Sequence, residues 1–237
     1  MTLQTLHPDH TVILACTSLL LHVETAQERM GTRFQVVKLD RRYHTEPKKM
    51  RSRILEALDT LPADCDTVLV AMGYCGGSWD HISLTRRVVV PKVDDCITLL
   101  LHTDDTAHKN LKEVGHMYFR DCDTGPYSIE GMKEEICRAY GTEFGTSIFG
   151  SWFQNYTSAD IIDTGVYDCY SEEYVAEAQK NADLIRCSLG YVQGSNRILE
   201  KLVSGRWDAQ FVVLEPGREM TEQDFGFSAG NTDTKQY

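Results

Sequence analysis

Basic residues are scarce in this sequence, and the common phosphate-binding motifs are missing. Its 237 residues include 24 Lys and Arg against 35 Asp and Glu, which gives a net charge of −11. Because nucleic acids and anionic membranes are bound through basic surfaces, we expect neither as a partner. There is no GxxxxGK[ST] motif and no GxGxxG after the first predicted strand. These absences argue against a P-loop and against a dinucleotide-binding fingerprint.

Long hydrophobic runs are also missing. The longest apolar stretch, residues 12–23, contains polar residues and is too short to cross a membrane. No basic segment precedes it and no small-residue cleavage site follows it, so it does not resemble a signal peptide. We therefore expect a cytoplasmic protein. In that reducing compartment the eight cysteines are expected to be reduced thiols or metal ligands rather than four disulfides.

Apolar, β-forming runs alternate with segments of helical period along most of the chain. Together with 42% hydrophobic residues, this predicts a Rossmann-like three-layer α/β sandwich with a mostly parallel sheet. We expect one domain over residues 1–220, with an aromatic-rich segment of helix and loop at 141–168 that could form a lid, and a disordered polar tail at 221–237. The predicted strands are residues 12–16, 34–40, 67–74, 87–93, 116–122 and 210–217.

Four cysteines stand where predicted strands end. Cys16 closes the first strand, Cys75 follows the third, Cys96 follows the fourth and Cys122 closes the fifth, while His44 lies just beyond the second. The carboxyl ends of parallel strands share one edge, where open α/β folds bind ligands. Thiolate and imidazole are the ligands that zinc and iron–sulfur sites use, so these five residues are the predicted metal ligands.

A simpler interpretation is that the cysteines are small hydrophobic packing residues. No CxxC and no closely spaced Cys–His pair is present, so spacing does not choose between zinc, an iron–sulfur cluster and packing. For the four cysteines at strand ends, both interpretations stay open. The other four lie in loops or helices, and we assign them to packing: Cys65, Cys137, Cys169 and Cys187.

Polar residues near two of these cysteines are candidate site residues. Asp94 and Asp95 could act as a general base or orient a ligand, although at least one is expected to cap the following helix. Lys92 could lower a thiol pKa, bind an anion or simply be solvated. The turn formed by Gly76, Gly77 and Ser78 could bind an anionic cofactor group through its backbone N–H groups, although such turns are common at βα junctions.

Several segments together resemble the DUF1638 family of bacterial and archaeal proteins. The resemblance implies a single α/β domain and a site at Cys16, His44, Cys75 and Cys96, and it leaves the place of Cys122 open. Lys92 stands where the family leads us to expect arginine. Some relatives look associated with corrinoid and methylated-amine metabolism, which hints at one-carbon chemistry. The matching segments are AC (15–16), HTEP (44–47), GYCG (73–76), VPKVDDC (90–96), GSNR (194–197) and FVVLEPG (211–217).

These observations favour a metal- or iron–sulfur-dependent enzyme that acts on a small molecule. The cofactor would be zinc or an iron–sulfur cluster, and a corrinoid or methyltransferase protein is the partner that the resemblance suggests. Two alternatives remain. One is a metal-binding accessory or carrier protein without turnover, and the other is a metal-free enzyme with Cys75 or Cys96 as nucleophile and His44 as base.

Overall fold

Strands and helices alternate through the computed structural model, which describes residues 4–227 and has a mixed α/β fold. The strands are β1 (Thr11–Cys16), β2 (Gln35–Leu39), β3 (Thr67–Ala71), β4 (Ile82–Ser83), β5 (Arg87–Pro91), β6 (His116–Phe119), β7 (Ser158–Asp163), β8 (Ser188–Gln193), β9 (Phe211–Leu214) and β10 (Glu219–Met220). The α-helices are α1 (Leu20–Met30), α2 (Pro47–Asp59), α3 (Cys96–Leu101), α4 (Ile129–Tyr140), α5 (Thr142–Phe153), α6 (Glu172–Leu184) and α7 (Arg197–Ser204). No α-helix within the described range is long and apolar enough to cross a membrane.

Contacts divide the chain into two compact units, where the sequence predicts one domain over residues 1–220. Of the described residues, the first unit contains 4–111 and 195–227, and the second contains 112–194. Each has its own sheet, mostly parallel in the first unit and all parallel in the second, and its own apolar core. Every predicted site residue except Cys122 belongs to the first unit.

The sheet of the first unit has the strand order β2-β1-β3-β5-β9. The first four of these strands are parallel, and β9 runs antiparallel to β5. All residues of β1 and β3 are buried, as expected for central strands that are covered on both faces. The register sets Cys16 beside Leu39 and Ala15 beside Ala71, which aligns the carboxyl ends of these strands.

The second unit contains a separate three-stranded parallel sheet with the order β6-β7-β8. The predicted fifth strand is therefore β6 of this sheet and does not extend the first sheet. Neither β7 nor β8 is predicted from the sequence, because both carry polar residues. In β7, Asp160 is buried. Its carboxylate accepts a hydrogen bond from Ser158 Oγ at 3.0 Å and lies 2.6 Å from His116 Nδ1.

Two stretches of the chain differ from the sequence prediction. Residues 141–168 contain α5 and β7, and β7 is the middle strand of the second sheet, so this stretch builds the second unit where helix and loop were predicted. Residues 221–227 do not form a disordered tail, because Phe225 is fully buried and its ring centroid lies 4.8 Å from that of Tyr74. Residues 228–237, the rest of the predicted tail, lie outside the described residues.

Candidate functional site

Three of the predicted cysteine ligands lie at one edge of the first sheet. Cys16 is the last residue of β1, Cys75 follows β3 by four residues, and Cys96 is the first residue of α3, just after β5. These strands are parallel neighbours, so their carboxyl ends share an edge. All three side chains are buried. We call Cys16, Cys75, Cys96 and the adjacent His44 the thiol centre.

His44 contacts Cys16 directly. A short 3₁₀-helix, Arg41–Thr45, follows β2 and places His44 Nε2 at 3.1 Å from Cys16 Sγ. The Arg41 backbone N–H donates to Thr17 Oγ1 at 2.9 Å, which ties this helix to the end of β1. The Ser18 hydroxyl also donates to Cys16 Sγ, at 3.1 Å. The sulfur of Cys16 is therefore flanked by an imidazole and a hydroxyl, both of which can stabilise a thiolate.

Cys75 lies in a left-handed turn. Its φ is +48°, and those of Gly76 and Gly77 are +65° and +89°. A non-glycine residue in this region costs on the order of 1–2 kcal/mol, and such strain often accompanies functional sites. The turn is held internally, because the buried Ser78 hydroxyl donates to the Cys75 carbonyl at 2.7 Å. Arg51 of α2 donates to the carbonyl oxygen of Asp80 just beyond it.

The turn is also joined to the loop after β5. The Tyr74 N–H donates to the Val93 carbonyl at 2.9 Å, and the Cys75 N–H donates to the Asp94 carbonyl at 2.7 Å. The backbones approach so closely that a Cβ atom on Gly73 would lie 2.7 Å from Asp95 Cα. Only glycine fits there, and this contact brings Cys75 close to Cys96.

The pKa of the Cys75 thiol reports this proximity. Burial is the main cause that raises this pKa well above its usual range, and the neighbouring groups Cys96, Cys16 and Asp95 raise it further. A hydrogen bond with the Gly73 backbone acts in the opposite direction. Cys75 is therefore a protonated thiol at neutral pH unless a cation lies near the three sulfur atoms.

The three polar candidate residues, Asp94, Asp95 and Lys92, make different contacts. Asp95 caps α3, because its Oδ1 accepts the N–H groups of Ile97 at 2.9 Å and Thr98 at 3.0 Å. Asp94 Oδ1 accepts the Asp95 N–H at 2.9 Å. Lys92 directly follows β5, and its backbone N–H donates to the Gln210 carbonyl at 2.7 Å.

Only part of the predicted anion-binding turn, residues 76–78, has hydrogen-bond donors that a ligand could use. The hydroxyl of Ser78 is already used within the turn. The backbone N–H groups of Gly76 and Gly77 make no hydrogen bond to any part of the chain that the structure describes. A side chain on Gly76 would contact the ring of Pro47, 3.2 Å from its Cγ. Two backbone donors beside Cys75 are therefore available to a ligand.

Cys122 lies in the second unit, three residues after β6. Its half-buried Sγ is 3.8 Å from Asp123 Oδ1, and that carboxylate also forms an ion pair with the buried Arg120 at 3.0 Å. Two of the cysteines assigned to packing, Cys169 and Cys187, lie in the apolar core of this unit. Cys65 lies in the core of the first unit.

The thiol centre does not already have the geometry of a metal site. Among residues 4–227, no three His, Cys, Asp or Glu side chains are positioned so that they could hold a metal ion together. The effect of both Cys16 and Cys96 on the pKa of Cys75 nevertheless indicates that the three thiols are near one another. Three thiols and one imidazole are a suitable donor set for zinc or an iron–sulfur cluster, but bound metal would require the side chains to move.

Some residues of the site could not be singled out from the sequence. Ser18 follows Cys16 by two residues and Arg51 lies on α2, and neither position carries a recognisable motif. The sequence also does not show that His44 would meet Cys16 instead of Cys75 or Cys96. The order of strands decides this, because β2 is the direct neighbour of β1.

Comparison with known proteins gives a family but no activity. The family model described as "Protein of unknown function (DUF1638)" matches residues 38–203. This range includes His44, Cys75, Cys96 and Cys122, whereas Cys16 precedes it. No curated protein and no solved structure matches the chain.

Proposed function

This chain belongs to the DUF1638 family, whose description states no function, and we propose from the site alone that it is a metal-dependent enzyme. In this proposal Cys16, His44, Cys75 and Cys96 hold zinc or an iron–sulfur cluster, and the reaction takes place on a small molecule at the same sheet edge. The proposed ligand set leaves out Cys122, whose Sγ lies beside Asp123 in the second unit.

The strand order supports a ligand site at this edge. The four parallel strands of the first sheet follow the order β2-β1-β3-β5, and we propose that this unit is a doubly wound, Rossmann-like α/β fold. The order reverses between β1 and β3, and ligands in such folds bind outside the carboxyl ends at that reversal. Cys16 ends β1 and Cys75 follows β3, so two of the proposed ligands flank the reversal point.

The observation that carries the proposal is the crowding of three thiols in a buried place. Ionisation of Cys75 is opposed by burial and by the acidic groups Cys96 and Cys16. A bound cation reverses this effect, because metal binding replaces thiol protons and offsets the repulsion between thiolates. Soft sulfur ligands select zinc, copper(I) or iron–sulfur clusters over magnesium or calcium.

Bound zinc would polarise a substrate oxygen or a water molecule, and a cluster with one open iron would bind the substrate directly. The side chains of this chain have supporting roles. Ser18 orients Cys16 through its hydroxyl, and Asp95 fixes the start of α3 and so the position of Cys96. Asp94 is the carboxylate that we retain for proton transfer, since Asp95 is committed to capping.

A second candidate function follows from the contact between Cys16 and His44. A thiol 3.1 Å from an imidazole nitrogen has the arrangement of a cysteine nucleophile and its base. In this metal-free alternative Cys16 takes the role that the sequence suggests for Cys75 or Cys96. The raised pKa of Cys75 makes that thiol a poor nucleophile at neutral pH.

Anaerobic purification followed by elemental analysis and visible absorption spectroscopy tests the proposal. Iron with absorbance in the thiolate-to-iron region supports a cluster, and colourless protein with zinc supports a zinc site. A metal-free protein in which Cys16 is the fastest-reacting thiol would favour the nucleophile instead. Bound metal that exchanges without turnover would indicate a carrier. One-carbon compounds are the first substrates to assay, with a corrinoid or methyltransferase protein as the proposed partner in the cytoplasm.

A further inference from the structure

Two lysine side chains meet beside residues 221–227, which we call the C-terminal segment. Lys92 follows β5, Lys109 lies in the loop after α3, and both reach Gly226. A Cβ atom placed on Gly226 would lie 2.9 Å from Lys109 Cε and 3.4 Å from Lys92 Cε. Gly226 also has a φ of +74°, a backbone conformation that favours glycine. The two ammonium-bearing stems therefore lie close together.

Neither lysine is neutralised by a carboxylate in the part of the chain that is described. Lys109 Nζ donates to the Gly226 carbonyl oxygen, and within residues 4–227 Lys92 Nζ has no hydrogen-bond or ion-pair partner. An ammonium group has three N–H donors, so most of these donors remain available.

The lysine pair is joined to the thiol centre through the backbone. The Asp94 N–H donates to the Lys109 carbonyl at 2.8 Å, and the Asp94 carbonyl accepts the Cys75 N–H at 2.7 Å. Lys92 also precedes Cys96 by only four residues. The aromatic rings of the C-terminal segment lie alongside, with Phe227 5.4 Å from Tyr74 between ring centroids and 5.9 Å from Lys109 Nζ.

We propose that Lys92 and Lys109 bind an anionic group, a carboxylate or a phosphate, of the small molecule on which the thiol centre acts. Two like charges held side by side repel each other, and an anion between them converts that repulsion into two charge-assisted hydrogen bonds. Its assignment as part of the substrate rests on the proposed function of the thiol centre. Binding of the anion itself does not depend on that function.

Isothermal titration calorimetry tests this with two probes, inorganic phosphate and acetate, in low-salt buffer free of other multivalent anions. We expect the purified full-length protein to bind at least one of them. Lys92→Gln and Lys109→Gln should each weaken binding about tenfold or more, because each removes a charged donor. Lys92→Arg keeps the charge and should retain most of the affinity. Lys38→Gln, on the exposed surface of β2, is the matched control and should bind like the parent.

The proposal is overturned if the parent binds neither probe, or if both glutamine variants bind as tightly as the parent. Thermal melts of all variants show whether weaker binding comes from misfolding, and the arginine variant separates loss of charge from loss of structure. Metal analysis of the same samples keeps the two proposals distinct. Anion binding without metal would refute the metal site and leave the lysine site intact, whereas metal without anion binding would do the reverse.

Discussion

Gly73→Ala is the sharpest structural test of how the thiol centre is assembled. The new Cβ atom would lie 2.7 Å from Asp95 Cα and 2.8 Å from Asp95 N, and both are backbone atoms that cannot rotate away. The turn and the loop after β5 must therefore separate. This strains the hydrogen bonds from Tyr74 to Val93 and from Cys75 to Asp94.

Forced overpacking of this kind typically costs about 1–3 kcal/mol. For a chain of this size, each kcal/mol lowers the Tm by roughly 2–4 °C, so we expect Gly73→Ala to melt several degrees below the parent. Gly150→Ala is the control, because its Cβ would meet nothing within 4 Å inside α5 and removing a mid-helix glycine stabilises by about 1 kcal/mol. Circular dichroism melts give both values. A Gly73→Ala protein that melts with the parent would refute the proposed contact between the two loops.

Three further predictions concern pH, the C-terminal segment and the helix cap. Burial lowers the pKa of His102, so as pH falls below about 6.5 the unfolded state takes up a proton before the folded state. The urea midpoint should therefore be lower at pH 5.5 than at pH 7.5, and the difference should be smaller in His102→Gln. Phe225→Ala removes a fully buried ring, so it should lower the free energy of unfolding by about 3–5 kcal/mol and speed the reaction of Cys75 with a thiol reagent. Phe144→Ala, at an exposed position, should change neither stability nor this rate. Equal thiol rates in the two variants would contradict the idea that residues 221–227 cover Cys75. Asp95→Ala should lose about 0.5–2 kcal/mol and Asp95→Ser much less, whereas equal losses would show that Asp95 does more than cap α3.

Much of the first unit could be predicted from the sequence. Its strands β1, β3 and β5 are continuous apolar runs, which is the pattern of buried parallel strands. The cap of α3 could also be predicted, because one of Asp94 and Asp95 is expected to cap this helix and Asp95 Oδ1 accepts the N–H groups of Ile97 and Thr98. Cysteines at successive strand ends could therefore be assigned to one edge.

The sheet of the second unit could not be predicted from the sequence, because two of its strands lack a clear apolar pattern. Strand β8 is only partly covered and contains Gly190. Strand β7 contains the buried Asp160, whose carboxylate lies 2.6 Å from Nδ1 of His116 on the neighbouring strand β6. Such cross-strand pairing cannot be read from a local pattern, because the partner is more than 40 residues away. The pairing of Cys16 with His44 is of the same kind, since it depends on which strands are neighbours.

The most direct test of the metal site is the metal content per chain of three purified variants beside the parent. Cys75→Ser and Cys96→Ser each remove a proposed soft ligand, and we expect both to lose most of the metal while remaining folded. Cys65→Ser is the matched control, because Cys65 is equally buried in the same unit but donates only to the Thr67 carbonyl, at 3.5 Å. The account predicts metal in the parent and in Cys65→Ser and little in the other two. Equal metal in all four proteins, or none in the parent, would contradict it.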